Sequence, residues 1–459
     1  MKKLVVIGGD AAGMSAAARA SRGAEPPETV VFERGEYTSY AACGLPYHVS
    51  GLITDPQALV ARTPEEHRAS GIDVRMRQEV LSIDPEERSV TVRSLDDGRT
   101  YQESYDELLI ATGASPIVPK LPNVNAKGVT TIKTIPDAVA LDALIRERTP
   151  PAAVVIGGGY IGLEMAEALV GRGLEVTLIE MLEQPMATLD PDMSARVADA
   201  LRELGVCVHL GVTATGFEVD GEGWVRAVAT SSGEIPAELV VLGLGFRPNV
   251  SLAVGAGVPL GPSGAIAVDA RMATRTPHVW AAGDCVESLN RVSGAPVWVA
   301  LGTHANKQGR TAGTNLSGTP ARFEGVIGTA ITRVGDVEIA RTGLSSREAQ
   351  AAGFAAVANT IESGTRAHYY PGSESLAVRV VAERGSGRLL GAQIVGGAES
   401  GKRIDALAVG VWNGMTAAEF SGLDLAYAPP FAPVWDAILI AARLAGEKAW
   451  ESERPISTL

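Results

Sequence analysis

The sequence predicts an α/β chain: two Rossmann-like dinucleotide-binding domains followed by a C-terminal α+β domain. Three observations lead there. The stretch Leu4-Val5-Val6-Ile7-Gly8-Gly9 recurs as Ala153-Val154-Val155-Ile156-Gly157-Gly158. Each copy continues through a further glycine, Gly13 or Gly162, into an Ala-rich helical stretch and a second apolar strand that ends in an acid, Glu33 or Glu180. From about Phe323 these motifs stop, and strand-like pieces give way to helical ones.

Each element follows from its residues. Uninterrupted β-branched runs suit parallel strands buried on both faces. The stretches 108–111, 239–244 and 278–281 read the same way, and Thr112-Gly113, Gly245 and Gly283 stand at or just beyond their ends. Such strand ends bring backbone up to a nucleotide. The proline-rich joints at 116–122 and at Pro248 mark where the chain passes between domains. In the last third, 326–332, 376–381 and 389–395 read as strands, and 404–412 and 434–444 as helices. That texture suits an α+β domain with its own role, self-association.

Gly157-x-Gly159-x-x-Gly162 is a complete dinucleotide fingerprint, with Tyr160 and Ile161 opening the helix that receives the pyrophosphate. An acid about 20 residues beyond the last glycine hydrogen-bonds the adenosine ribose, and Glu180 is placed to do so. No Arg or Lys follows at Met181 or Leu182, so NADH is favoured over NADPH, which stays possible. The first copy reads Gly8-Gly9-Asp10-Ala11-Ala12-Gly13, with Asp10 where the second glycine belongs and Glu33 as its acid.

Bulk composition excludes several classes. With 40 basic and 53 acidic residues the net charge is −13. Such a chain has no general attraction to nucleic acid or anionic membrane, although one cleft can still be basic. No apolar run is long enough to span a bilayer. Three cysteines (Cys43, Cys207 and Cys285), none in a CxxC pair, argue against a disulfide framework and fit a reducing cytoplasm. The six histidines do not cluster, so no metal site is expected. Cys207 and Cys285 read as buried structural thiols.

Two segments, Ile110-Ala111-Thr112-Gly113 and Val279-Trp280-Ala281-Ala282-Gly283-Asp284, resemble the ATG and GD motifs of two-dinucleotide-domain flavoproteins. The segment Ser39-Tyr40-Ala41-Ala42-Cys43-Gly44-Leu45-Pro46-Tyr47 lacks the second cysteine of that superfamily's disulfide reductases. Together with His368-Tyr369-Tyr370-Pro371-Gly372 and Tyr427-Ala428-Pro429-Pro430-Phe431, it resembles the single-cysteine branch: coenzyme A-disulfide reductases and related NADH oxidases and persulfide reductases. The resemblance runs from Leu4 to Leu444.

The resemblance implies a discontinuous FAD-binding domain over 1–115 and 247–322, an NAD(P)H-binding domain over 116–246 and a dimerisation domain over 323–459. FAD would be held by Gly8, Gly9, Ala11, Ala12, Gly13, Glu33, Thr112, Gly113, Gly283 and Asp284. NAD(P)H would be held by Gly157, Gly159, Tyr160, Ile161, Gly162, Glu180 and Gly245. Cys43 would cycle between thiolate and a mixed disulfide with coenzyme A, which is then substrate or adduct. Tyr427 and Tyr369 would reach that thiol from the second subunit of a homodimer. Ser15, Arg19, Arg22, Ser39 and His304 map to coenzyme A contacts, and Arg19 and Arg22 share a helix face. Ala42 and Trp435 replace an asparagine and a lysine of the family, which leaves the identity of the thiol open.

Physically, Cys43 must be a thiolate to attack sulfur, and Gly44 and Pro46 suggest that it opens a helix whose dipole favours an anion. The expected activity is therefore electron transfer from NAD(P)H through flavin to Cys43, reducing a low-molecular-weight disulfide or persulfide. An NADH oxidase with Cys43 as sulfenic acid is the alternative. The peroxidase variant is disfavoured, because its glycine-loop histidine is absent from Asp10, Ala11 and Ala12. A ferredoxin-like carrier reductase with Cys43 idle is a further alternative. Many persulfide reductases carry an added C-terminal rhodanese domain; none is read before Leu459, and a stand-alone form stays open.

Overall fold

The computed structural model describes residues 2–23 and 25–451. The first parallel sheet runs, edge to edge, through Ile72–Arg75, Glu28–Phe32, Lys3–Ile7, Glu107–Ile110 and Val279–Ala281. The second runs through Cys207–Leu210, Glu175–Glu180, Ala152–Ile156, Leu239–Leu242 and Val129–Thr130. In each, the strand before the glycine loop is central, and Val5 and Val154 are fully buried. The sequence repeat is thus a structural repeat. The fifth strands break the symmetry. Val129–Thr130 precedes the second unit, whereas Val279–Ala281 returns to the first sheet after the whole second unit has been completed. Outgoing and returning chain lie side by side, with Ala114–Pro116 antiparallel to Phe246–Pro248.

The third five-stranded sheet is antiparallel, ordered Ala330–Val334, Val337–Gly343, Leu389–Gly396, Ser375–Glu383 and Ala356–Gly364. Helices Ile404–Trp412 and Ala437–Glu451 supply Leu407, Ile438 and Ala442 to its core. The α/β class with a C-terminal α+β domain is therefore observed, with local corrections. The strand expected at 326–332 lies at Ala330–Val334, and the last helix starts at Ala437, later than expected. Two strands, Val337–Gly343 and Ala356–Gly364, were not anticipated. A short helix, Ser346–Ala351, interrupts the strands, so they do not all precede the helices.

Two packing features position the site. The helix Ala11–Ala20 is rich in alanine because the helix Gly302–Leu316 lies almost on its backbone. A Cβ on Gly309 would fall 2.2 Å from the Ala12 carbonyl oxygen, and one on Gly313 would fall 2.3 Å from that of Ala16. The second feature ties the second unit to the C-terminal sheet through Asp190, whose carboxylate is nearly buried. It accepts from Arg379 Nε at 2.6 Å, Gln393 Nε2 at 3.0 Å and Ser346 Oγ at 2.9 Å. Asp190 N donates in turn to Gln393 Oε1 at 2.8 Å.

Asp190→Ala should loosen this junction at a cost of about 2–3 kcal/mol, since it strands a largely buried guanidinium and amide. Arg379 keeps Asp192 at 3.1 Å, so the loss stays at the lower end for a buried pair. A lowered urea midpoint, together with faster proteolysis of the 182–191 segment, checks it.

Candidate active site

Both glycine loops are built alike. A Cβ on Gly13 would sit 1.9 Å from the Gly8 carbonyl oxygen, and one on Gly162 would sit 1.8 Å from that of Gly157. The helices Ala11–Ala20 and Tyr160–Gly171 therefore start hard against their loops, as close helix–strand packing requires. Each terminal acid is bonded back onto its loop. Glu33 accepts from Gly9 N and Gly35 N, each at 2.7 Å. Glu180 accepts from Gly158 N at 2.7 Å and Leu182 N at 2.8 Å. Their remaining lone pairs suit ribose hydroxyls. A Cβ on Gly159 would meet nothing within 4 Å, so that loop is open where a diphosphate approaches. Both cradles fit a dinucleotide.

The strand ends contribute as their positions suggest. Thr112 Oγ1 donates to the Asn249 carbonyl at 2.7 Å, fixing the loop before Gly113. Gly113 and Gly245 adopt positive φ of 67° and 86° with open space beside them. Gly283 N donates to the Gln308 side chain at 2.8 Å, and a Cβ there would fall 2.7 Å from that of Ala12. The next residue, Asp284, has its carboxyl pushed up by burial and is opposed by Lys133 Nζ at 3.7 Å.

Cys43 sits in a 3-10 turn, Ala42–Gly44, directly before the helix Leu45–Val49. Its segment is tied on both sides: Ser39 N donates to the Gly9 carbonyl at 3.2 Å, and Ala41 N to that of Leu59 at 2.8 Å. The thiol is exposed on the isolated chain. The expectation of a helix dipole favouring the thiolate is corrected here. The helix has only five residues, and the thiol is pushed up. Burial is the main cause, the carboxylates of Glu164 and Asp284 add to it, and Lys133 opposes.

The other cysteines divide. Cys285 is buried, as expected, and pushed up to about 11 by that burial. Cys207 is not buried, because Cys207–Leu210 is an edge strand; its sulfur lies 3.4 Å from His209 Nε2.

Ser15, Arg19 and Arg22 line a groove of about 480 Å³ with Ala18, Asn306, Lys307 and Arg310. Four cations and no acid border it. Ser15 Oγ donates to Asn306 Oδ1 at 2.7 Å, and Arg19 Nε to Thr314 Oγ1 at 3.0 Å, which fixes two of the walls. Ser39 and His304 lie outside this lining. Ser39 has a left-handed φ of 50°, and its hydroxyl is 2.9 Å from His67 Nε2. His304 is in the first turn of the Gly302–Leu316 helix, its ring largely buried near the Val299 backbone. Tyr369 and Tyr427 are exposed neighbours on the C-terminal domain, and Tyr369 pushes the Tyr427 phenol up. Neither is among the groups that act on Cys43 of the same chain.

Residues 2–309 match the family described as pyridine nucleotide-disulphide oxidoreductase, and 329–437 match the dimerisation domain of the same family. The chain belongs to the pyridine nucleotide-disulphide oxidoreductases. It is an NAD(P)H-dependent flavoprotein oxidoreductase, with FAD as its flavin. It is 41% identical over 445 residues to the NAD(P)H coenzyme A polysulfide/persulfide reductase of Pyrococcus horikoshii, covering 96% of this chain and 98% of that one. It is 33% identical over 449 residues to an NADH oxidase of Methanocaldococcus jannaschii, covering 97% and 99%. The crystal structure of reduced Bacillus anthracis CoADR-RHD superposes with a TM-score of 0.94 at 35% identity, covering 98% of this chain and 80% of that one.

Within this oxidoreductase, sequence reasoning missed Lys133 and Glu164. Lys133 stands just before the Thr134 cap of the helix Ile135–Arg148, in no motif. Glu164 had a signal: it is an acid two residues beyond Gly162, one of two, with Glu167, in an otherwise largely apolar helix. Its carboxyl accepts from Thr332 Oγ1 at 3.2 Å and is itself pushed up by burial. Lys307 and Arg310 were missed too; they stand on the second helix of the groove.

Glu164→Gln removes a negative charge beside Cys43 and should speed its alkylation at about pH 8 by roughly two- to fivefold, while Lys133→Met should slow it. Site-resolved mass spectrometry reads this, with exposed Cys207 as the internal reference that neither change moves.

Proposed function

We propose that this oxidoreductase uses NADH to reduce a coenzyme A disulfide or persulfide at Cys43. The observation that carries the reading is the pairing of an accessible thiol, Cys43, without a second cysteine in its motif, with a groove bordered by four cations. A lone thiol needs its partner sulfur from a small molecule. A diphosphate- and phosphate-bearing thiol suits Arg19, Arg22, Lys307 and Arg310, on a chain otherwise strongly acidic. The printed activity of the Pyrococcus relative, on coenzyme A polysulfide or persulfide, points the same way.

Glu33, Asp284 and the loop 8–13 would hold FAD, which when bound supplies the relay between nicotinamide and sulfur. Glu180 and the loop 157–162 would hold NADH. With Glu180 acidic and Met181, Leu182 and Glu183 following it, a 2′-phosphate has no cation to meet. The Cys43 thiolate attacks one sulfur of the disulfide, the S–S bond breaks, and the departing thiolate takes a proton. Two electrons from NADH then cleave the mixed disulfide, releasing the second thiol and restoring Cys43. The sum is NADH, a proton and RSSR giving NAD⁺ and two RSH.

The proton donor in this reading is Tyr427, with Tyr369 beside it, both from the second subunit of a homodimer. Tyr369, Tyr427, Phe431, Val434 and Trp435 form an exposed apolar patch of the kind that marks an interface. The homodimer would work in a reducing compartment, the cytoplasm. The Methanocaldococcus relative favours a second reading, oxygen reduction with Cys43 as sulfenic acid. Titration of NADH against oxygen consumed separates the two.

Cys43→Ser should keep FAD bound and lose disulfide reduction by more than about 10³-fold; normal turnover of the Ser variant rejects the proposal. Arg19→Glu combined with Arg22→Glu should raise KM for coenzyme A disulfide at least about tenfold and leave kcat for a small uncharged disulfide unchanged. A heterodimer of Cys43→Ser and Tyr427→Phe subunits should recover about half of one wild-type dimer's activity, because one complete site forms. Activity no higher than that of the parent variants rejects the contribution from the second subunit.

A further inference from the structure

We infer that Asp10 occupies the FAD cradle as a neutral carboxylic acid, and that this makes FAD retention fall as pH rises. Asp10 stands where the second glycine of the fingerprint stands in the other loop. There, at Gly159, a side chain would meet open space, the space a diphosphate uses. Asp10 puts a carboxyl at the same point of the first loop.

The local geometry gives that carboxyl little support as an anion. Asp10 is the residue before the helix Ala11–Ala20, with extended backbone, and its carbonyl accepts from Met14 N at 2.9 Å. Its side chain does not cap the helix. Instead Oδ1 accepts from Tyr40 N at 3.2 Å, and the Ala11 amide gives the carboxylate weaker support. The first turn of the helix, Ala11-Ala12-Gly13, brings no charged group. Glu33 faces Asp10 from the tip of the strand Glu28–Phe32, and the Tyr40 phenol from the Cys43 segment. Lys133 is the main cation acting on it, and Lys133 also serves Asp284 at 3.7 Å. Asp10 therefore lies between Glu33 and the place where a diphosphate brings further negative charge.

Burial already pushes the carboxyl up to about 6, against the Tyr40 amide, with Glu33 adding to the rise and Lys133 and the Ala11 amide opposing it. A bound diphosphate disfavours the carboxylate further. The sign follows. Above about pH 6 the FAD-free loop has lost the proton that the FAD-bound loop keeps, so affinity falls by up to about tenfold per pH unit until the bound-state value is passed. This rests on the FAD assignment of the first loop and not on the sulfur substrate.

The FAD dissociation constant, from the holoenzyme diluted stepwise to nanomolar concentration, brought to equilibrium and read by the fluorescence of free FAD, tests it. Wild type should bind FAD at least about fivefold more weakly at pH 8 than at pH 6. Asp10→Asn keeps an acceptor for Tyr40 N, and Asp10→Gly restores the pattern of the second loop. Both should show a dissociation constant that varies less than about twofold over that range and at pH 8 should match wild type at pH 6. A flat wild-type profile, or an Asn variant with the wild-type slope, overturns the inference. A purified chain carrying no flavin at any pH overturns instead the assignment of FAD to the first loop.

Discussion

The helices Ala11–Ala20 and Gly302–Leu316 touch backbone to backbone, and much of the site depends on that contact. It is possible because Ala12 and Ala16 face Gly309 and Gly313, where any Cβ would overlap a carbonyl oxygen. It brings the first glycine loop, the Gly283-Asp284 turn and two rows of cations into one arrangement. Arg19 and Arg22 project from one helix and Lys307 and Arg310 from the other, so the groove exists only while the two helices stay in register. Through Ser39 N and the Gly9 carbonyl, the same loop also steadies the segment that carries Cys43.

Much of this was legible in the sequence, for a physical reason. Glycine loops and strand-end acids are local devices, and both Glu33 and Glu180 close onto their own loops within a few residues of where spacing placed them. The absence of a resolving cysteine near Cys43 is equally local. What sequence did not give was set by packing across distance. Lys133 reaches the thiol's surroundings from the turn before a helix, and Glu164 from within one, and neither stands in a motif for it. Arg310 and Lys307 become groove residues only through the helix contact. Val337–Gly343 was passed over because Glu338 and Arg341 interrupt its apolar pattern. Yet Arg341 is buried and satisfied by Glu348 and the Thr188 carbonyl. Ala356–Gly364 is a partly exposed edge strand of small and polar residues. Cys207 was read as buried because apolar residues flank it, although its strand lies at the sheet's edge.

Electrostatics divide the molecule sharply. An acidic chain concentrates four cations in one groove, while the thiol near the first glycine loop is held as a weaker acid by burial, Glu164 and Asp284. The surroundings within one chain therefore disfavour the Cys43 thiolate. Lys133, which also answers to Asp10 and Asp284, is the main cation acting on that thiol and would favour its thiolate. The reactive state is then a property of the assembled enzyme with its cofactors and second subunit, more than of the Cys43 turn alone.

The central claim is that the partner sulfur of Cys43 comes from a phosphate-bearing small thiol. The mass of the intact chain after anaerobic incubation with coenzyme A disulfide, without NADH, tests it most directly. The account predicts one coenzyme A adduct per chain, mapped to Cys43 and removed by NADH. A free Cys43 thiol after that incubation, or an adduct confined to Cys207 that NADH leaves in place, would contradict it.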